Sequence, residues 1–327
     1  MKKHILVTGG AGYIGSHVVK LLGEAGYNVV VFDNLSTGHR ESVLCGELVV
    51  GDLANKNEIE AVFDRFNIEA VIHFAGSIIV PESVEKPLLY FRNNFVNTLN
   101  LLDVCRARKM NRFIFSSTAA VYGIEGNGFF SEESQKKPIN PYGKSKLMVE
   151  EMLTDLAFAE KDFHYIALRY FNVAGADFSG KIGQRSKVST HLIKLALETA
   201  LGKRKELQVF GTDYETPDGT CVRDYIHIVD LAQAHIEALR YLEKNNQSHV
   251  LNCGYGKGST VKEVVSKIKE ITKIDFAVRE VARRAGDPAF LVSIPKRIKE
   301  VLGWIPKHDD LNVIVETAYQ FEKKLHK

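Results

Sequence analysis

Immediately after the short apolar stretch His4–Thr8, the chain runs Thr8-Gly-Gly-Ala-Gly-Tyr-Ile-Gly15 and passes into a helical pattern over Tyr13–Ala25. Gly10, Gly12 and Gly15 satisfy Gly-x-Gly-x-x-Gly, and Gly9, Gly12 and Gly15 satisfy the wider Gly-x-x-Gly-x-x-Gly. Glycines so placed permit a tight strand-to-helix turn, close approach of backbone N–H groups to a pyrophosphate, and close helix–strand contact. Glycines also make ordinary turns, so the weight of the pattern comes from its strand–turn–helix setting. Asp33 then ends the next β-branched run, roughly twenty residues on, where a carboxylate accepts from the adenosine ribose hydroxyls of a dinucleotide. The same charge repels a 2′-phosphate, so the cofactor expected is NAD rather than NADP.

Short β-branched runs continue to alternate with amphipathic stretches. Strands are expected at His4–Thr8, Asn28–Asp33, Glu47–Gly51, Ala70–Phe74, Arg112–Ser116 and Tyr165–Arg169, and helices at Tyr13–Ala25, Lys56–Phe66, Pro87–Lys109 and Pro141–Ala159. That rhythm predicts an α/β fold: a doubly wound parallel (Rossmann) sheet over residues 1–172, with the chain crossing back in parts of 173–250. A smaller α/β substrate-binding lobe is expected over 173–327, where the alternation becomes shorter and looser. Ligands of such sheets bind at the carboxyl ends of the strands.

Composition removes several classes of function. The 327 residues carry 43 basic and 40 acidic side chains, a net charge of +3 spread along the chain. That balance argues against nucleic acid and against an anionic membrane surface. The apolar run near Met1 ends at Thr8-Gly9, too short for a signal peptide, and no segment is long enough to span a bilayer. The four cysteines (45, 105, 221 and 253) form no Cys-x-x-Cys, and His73, His191, His227 and His235 lack metal spacing. A reduced, cytoplasmic protein with no metal site is expected.

Within Asn140-Pro-Tyr-Gly-Lys-Ser-Lys146, Tyr142 and Lys146 stand four apart, so a helix puts the phenol and the ammonium on one face. A phenol titrates near ~10, too high for a base at neutral pH. A lysine cation and a positively charged nicotinamide would favour the phenolate. The pattern alone is weak, because Tyr319 and Lys323 repeat it in an amphipathic C-terminal stretch.

The glycine run, Asp52-Leu53, His73-Phe-Ala-Gly76, Ser116-Ser-Thr118, Tyr142-x-x-x-Lys146, Arg169-Tyr-Phe-Asn172 and Arg223-Asp-Tyr-Ile-His227 occur in one order at one spacing. Together they resemble the extended short-chain dehydrogenase/reductase family, and within it the sugar-nucleotide 4-epimerases, from about His4 to Trp304. The resemblance implies NAD-dependent inversion at C4 of a UDP-hexose (UDP-galactose to UDP-glucose) through a transient 4-keto sugar, in galactose metabolism. It implies Tyr142, Lys146 and Thr118 as the catalytic set. It implies cofactor contacts from Gly9, Gly12, Tyr13, Ile14, Gly15, Asp33, Asn34, Leu35, Ser36, Thr37, Gly38, Asp52 and Leu53. Further cofactor contacts would come from Phe74, Ala75, Gly76, Ser77, Asn93 and Phe171, together with the catalytic residues. The UDP-sugar would be held by Asn172, His191, Leu192, Gln208, Phe210, Arg223, Arg284, Asp287 and Phe290, besides Thr118 and Tyr142. A homodimer through helices within Asn94–Lys109 and Lys146–Ala159 is implied as well.

Several points stay open at this level. Arg223 beside Asp224, and Arg284 near Asp287, read equally as surface ion pairs. Thr118 stands where many relatives have serine, Ile78 where some have lysine, and His191 where some have asparagine. Phe290 fills a place that is small in relatives accepting N-acetylated sugars. UDP-N-acetylhexosamine, UDP-glucuronate and UDP-pentoses remain alternatives, as does a catalytically silent NAD-binding sensor. Dehydratases of the family carry an Asp-Glu pair where this chain has Ala119 and Ala120, and two methyl groups can supply neither acid nor base.

Overall fold

The computed structural model describes residues 2–124, 126–186, 188–284 and 286–326. Its strands are β1 (Lys3–Thr8), β2 (Val29–Asp33), β3 (Glu47–Val50), β4 (Asn67–His73), β5 (Arg112–Thr118), β6 (Phe129–Phe130) and β7 (His164–Tyr170). They continue with β8 (Asn172–Ala174), β9 (Leu207–Phe210), β10 (Val222–His227), β11 (His249–Cys253), β12 (Gly258–Thr260), β13 (Val278–Val281) and β14 (Phe290–Ser293). The helices of the first half are α1 (Tyr13–Glu24), α2 (Lys56–Arg65), α3 (Val80–Glu85), α4 (Pro87–Tyr90), α5 (Asn97–Ala107) and α6 (Pro141–Ala159). Those of the second are α7 (Leu192–Ala200), α8 (Ile228–Lys244), α9 (Val261–Thr272), α10 (Lys296–Leu302) and α11 (Leu311–Leu325).

Two compact units emerge. One comprises Met1–Val121, Pro138–Arg169 and Ala232–Leu251; the other comprises Tyr122–Lys137, Tyr170–Leu231 and Asn252–Lys327. In the first, a seven-stranded sheet runs in the order β11-β7-β5-β4-β1-β2-β3. The pairings β1–β2, β1–β4, β2–β3 and β4–β5 are all parallel, as the alternation of strand and helix predicts. Every residue of β2 is buried, which is why residues 29–32 are apolar without alternation. Leu6, Val30, Phe32, Val71, Phe113 and Phe115 from the strands pack with Ile59, Val62, Leu101 and Leu153 from the helices. From β1 the chain proceeds outward to β2 and β3 on one side and to β4 and β5 on the other. The switch between β1 and β4 is where an open α/β sheet presents its ligand crevice.

The single helix expected over Pro87–Lys109 is instead α4, a π-helical turn at Phe91–Val96, and α5. The π turn carries Asn93 and Asn94, whose side chains bond elsewhere in the unit, as described below. Such turns recur at functional sites.

In the second unit, β12, β10, β14 and β6 form a sheet to which β8 adds along β10, and β13 pairs with β9 in parallel. Asp224 on β10 is fully buried and accepts from the N–H groups of Tyr255 (2.9 Å), Gly256 (2.9 Å) and Ser293 (3.1 Å) and from the Ser293 hydroxyl (2.5 Å). Burial pushes its carboxyl above the ordinary value, and these donors hold it back. Asp230 plays a similar part, taking the N–H groups of Lys307 and His308 and the hydroxyl of Tyr255.

Candidate functional site

The glycine run turns sharply at Gly9, whose φ is +71°. A Cβ there would lie 2.5 Å from the Ala75 nitrogen, so the loop after β1 is pressed on the loop after β4. A Cβ on Gly15 would meet the Gly9 carbonyl oxygen at 2.3 Å, which brings α1 down onto the turn. Gly12 differs: only the Gly9 oxygen, at 3.2 Å, lies near its missing Cβ. Two glycines are thus demanded by the protein's own packing, and the third leaves room above the turn. Gly12 is the N-cap of α1, no side chain caps that end, and no acidic residue occupies its first turn. An uncapped helix start beside a glycine with space over it suits a pyrophosphate.

Asp33 closes β2 and is 8 % exposed. Its carboxylate accepts from the Ala11 N–H at 2.9 Å and the Leu35 N–H at 2.8 Å, which fixes its orientation beside the glycine turn. Leu35 takes a φ of +57° in that tight turn. Gly38 fits against Ala11 and Asp33, and the His39 N–H reaches the Ala11 carbonyl at 3.0 Å, so Asn34–Gly38 folds back on the glycine loop. Asn34 donates to Asp52 at 3.0 Å, Asn34, Ser36 and Thr37 are exposed, and Leu53 is buried in the core. Carboxylate, uncapped helix start and open Gly12 together fit the adenosine and pyrophosphate of a dinucleotide.

After β4, Phe74 donates its N–H to the Thr8 carbonyl (2.9 Å) and turns its ring toward His235 at 4.9 Å. Asn93 donates to the Ser77 hydroxyl at 2.8 Å. Buried Asn94 accepts from the Ser77 N–H (2.7 Å) and donates to the Ser145 hydroxyl (3.0 Å), joining this loop to α6. Sequence reasoning named Asn93 and passed over Asn94; the doubled asparagine between Phe91 and Phe95 was the available signal. His73 donates from Nε2 to Thr98 (2.8 Å) and accepts at Nδ1 from Thr8 (2.6 Å), since the Thr98 hydroxyl is spent on the Asn94 carbonyl. Burial first, and then the Lys146 charge, lower this imidazole to about 3. It is a satisfied structural histidine, as its lack of metal spacing suggests.

Helix α6 begins at Pro141, preset for a first helical position, with the Asn140 side chain accepting from the Gly143 N–H at 2.8 Å. A Cβ on Gly143 would lie 2.5 Å from the Ala120 carbonyl oxygen, so the first turn of α6 closes on the segment following β5. That contact sets Tyr142 beside Thr118, whose hydroxyl hydrogen-bonds the phenol and also accepts the Ala120 N–H at 3.1 Å. One turn on, Lys146 is 3 % exposed, donates to the Ser116 carbonyl at 2.8 Å, and lies over the Phe115 ring. Burial lowers its ammonium to about 8, while the Glu150 charge acts in the opposite direction. Burial pushes the Tyr142 phenol above its usual value, and the Thr118 hydrogen bond draws it back. In the protein by itself burial outweighs Thr118, and Lys146 is not among the groups that shift the phenol. Tyr319 and Lys323, the repeat of the pattern, form a different contact, with the ammonium 4.5 Å above the ring on α11.

In the second unit, Phe171 is buried, and Asn172 opens β8 in register with Tyr225. His191 stands at the N-cap position of α7, directly before Leu192, without capping it through its side chain, and meets Gln184 at 2.9 Å through Nδ1; burial lowers its imidazole. Arg223 donates to the carbonyls of Val222 (2.9 Å) and Pro288 (2.8 Å) and stands 3.7 Å from Asp287. Arg284 lies over the Phe210 ring at 4.3 Å. Neither arginine makes the pair that its neighbours in sequence suggest, since Asp224 is turned inward to the backbone. Gln208 is exposed on β9, and Phe290 begins β14 with its ring stacked on Phe129 at 6.4 Å. Among the described residues no group of three or more His, Cys, Asp or Glu is placed to hold a metal ion.

Comparison with known proteins adds the following. Residues 5–254 match the model of the NAD dependent epimerase/dehydratase family. The UDP-glucose 4-epimerase of Azospirillum brasilense is 50 % identical over 322 residues, covering 98 % of this chain and 92 % of the relative. The crystal structure of UDP-glucose 4-epimerase from Brucella ovis in complex with NAD superposes with a TM-score of 0.95 at 45 % identity, covering 98 % of each chain. The UDP-Glc/GlcNAc 4-epimerase from Campylobacter jejuni superposes with a TM-score of 0.87 at 45 % identity, covering 99 % of this chain and 100 % of that one.

Proposed function

The chain belongs to the NAD dependent epimerase/dehydratase family, and we infer that it is an NAD-dependent 4-epimerase of UDP-hexoses interconverting UDP-galactose and UDP-glucose. The observation that carries the reading is the hydrogen-bonded Thr118–Tyr142 pair with Lys146 one turn along α6, followed by alanines at 119 and 120. This set can move a proton on and off a sugar hydroxyl, and it has no acid to expel a second one.

NAD, when bound, supplies reversible acceptance of hydride from C4. The glycine turn and Asp33 would hold its adenosine and pyrophosphate, and Lys146 would hold its nicotinamide ribose. Tyr142 takes the O4 proton. A cationic ring beside the phenol would offset the desolvation that keeps it protonated. Thr118 shares that proton, and Lys146 keeps a positive charge near the forming phenolate. The same three groups return the proton after the 4-keto sugar has turned its other face. Asn172, Arg223 and Arg284 would hold UDP, remote from the reacting carbon, so that binding energy is placed away from a sugar that must rotate.

Incubating the protein with UDP-galactose and reading UDP-glucose through a coupled dehydrogenase tests the reading. Product should form without added NAD if cofactor is retained, and nucleotide extracted from the protein should be NAD. Chiefly NADP would contradict the role given to Asp33. The likeness to the Campylobacter jejuni enzyme favours a second reading, in which N-acetylated sugars are also accepted, and UDP-N-acetylglucosamine in the same assay separates the two.

A homodimer is part of the proposal. Val84 (63 %), Leu88 (77 %) and Phe158 (78 %) are large apolar side chains left open on α3, α4 and α6, with Leu89, Val96 and Leu99 also exposed. Such a surface on helices of the first unit suits a two-fold contact. Light scattering should give twice the chain mass of 36.6 kDa, and a monomer at all concentrations would remove the idea. Four free thiols, and no helix among the described residues long and apolar enough to cross a membrane, are compatible with a cytoplasmic setting.

A further inference from the structure

Glu150 has no part in the chemistry above, yet it follows Tyr142 and Lys146 at the same four-residue step on α6, so the three share one face. It is 3 % exposed, and its partner Arg169 on β7 is 2 % exposed. Arg169 grips the carboxylate with two nitrogens, Nε to Oε1 at 3.0 Å and Nη2 to Oε2 at 2.6 Å. The Ser117 hydroxyl donates to the same carboxylate. Ser117 stands between Ser116, whose carbonyl receives Lys146, and Thr118, whose hydroxyl meets Tyr142. A buried ion pair adds little net stability over apolar side chains of similar size, so packing alone is a poor reason for placing one here.

We propose that the buried Ser117–Glu150–Arg169 cluster is a positioning device, holding the Lys146 ammonium and the strand end Ser116–Thr118 in register with Tyr142. Both sides of the catalytic set touch it: α6 through Glu150 itself, and β5 through Ser117. The electrostatics point the same way, because burial works against the Lys146 charge and the Glu150 carboxylate supports it. The other groups against the ammonium are the Phe115 ring and Ser116 carbonyl on β5, Gly76 in the loop after β4, and His73 on β4, which stays neutral across the working range. Arg169 lies behind the carboxylate. Removing the negative charge therefore lets Lys146 lose its proton at a lower pH, and turnover that needs the ammonium fails earlier.

This inference rests on the epimerase reading, and the test separates the two. Turnover is followed against pH for wild type, Glu150→Gln, Glu150→Asp, and the double variant Glu150→Gln with Arg169→Met. The double variant removes both members of the ion pair, so Arg169 is not left as an unpaired buried cation, which guards against simple unfolding. NAD content and the KM for UDP-galactose should stay near wild type. In Glu150→Gln and in the double variant, kcat should fall and its alkaline limb should move down by about one pH unit. Glu150→Asp, which keeps the charge, should return the limb to its wild-type position. Folded variants whose limb coincides with wild type, whatever their residual activity, would overturn the proposal. Absence of epimerisation by the wild-type protein would instead refute the functional reading.

Discussion

Replacing Tyr142 by phenylalanine should lower turnover of UDP-galactose at least about a hundredfold, the lower range for a positioned acid–base group. The substitution keeps the ring against α6 and removes only the hydroxyl. Thr118 loses one partner and retains the Ala120 N–H at 3.1 Å. The buried Lys146 keeps its bond to the Ser116 carbonyl. Fold and NAD content should therefore hold while the rate collapses, so the loss falls on kcat rather than on binding. Tyr319→Phe is the internal control. Its ring serves as a face for the Lys323 ammonium, which phenylalanine also provides, so that variant should turn over like wild type. Wild-type turnover in Tyr142→Phe would take this phenol out of the reaction.

The contrast between the two Tyr-x-x-x-Lys pairs marks how far the site could be read from residues alone. Spacing places a phenol and an ammonium on one helical face in both. What separates them is the Asn140 cap and the contact of Gly143 with Ala120, which press one pair onto the end of β5. The parallel sheet was legible because strands covered on both faces run apolar without alternation, as residues 29–32 do before Asp33. The break at Phe91–Val96 was not, because the apolar period runs on through it. The side-chain bonds from Asn94 to the Ser77 loop and to Ser145 join segments distant in sequence. Glu150 illustrates the same limit. The four-residue step from Lys146 sets it apart from Glu151, but the Arg169 that lets a carboxylate be buried there comes from a strand distant in sequence. The upward push on the Tyr142 phenol also lies beyond spacing, since it comes from burial, a property of the whole packed unit.

Gly9→Ala should cost both the fold and the cofactor, whereas Gly12→Ala should cost the cofactor alone. Gly9 sits at a φ of +71°, where a side chain is unfavourable by about 1–2 kcal/mol. Its Cβ would meet the Ala75 nitrogen at 2.5 Å and the Ala75 Cα at 2.8 Å, which are backbone atoms and cannot rotate aside. Moving the turn is no escape, because the Gly9 N–H is tied to the Phe32 carbonyl at 2.9 Å and the Phe74 N–H to the Thr8 carbonyl at 2.9 Å. Overpacking of this kind adds about 1–3 kcal/mol. The melting temperature should fall by several degrees, and NAD should be lost as the loops after β1 and β4 part. Gly12 has an ordinary backbone, at a φ of −79°, and only the Gly9 oxygen near its Cβ position. A methyl group there asks only that oxygen to give by a few tenths of an ångström, far less than the Gly9 clash, and projects where a pyrophosphate would lie. Gly26→Ala is the control for backbone strain without a clash: its φ is +85°, and no atom lies within 4 Å of the added carbon. It should lower stability slightly and leave NAD content unchanged. Circular dichroism melts and extracted nucleotide, measured on the three variants side by side, decide the matter. Equal NAD content in Gly12→Ala and wild type would mean that the space above this glycine is not where the cofactor's phosphates rest.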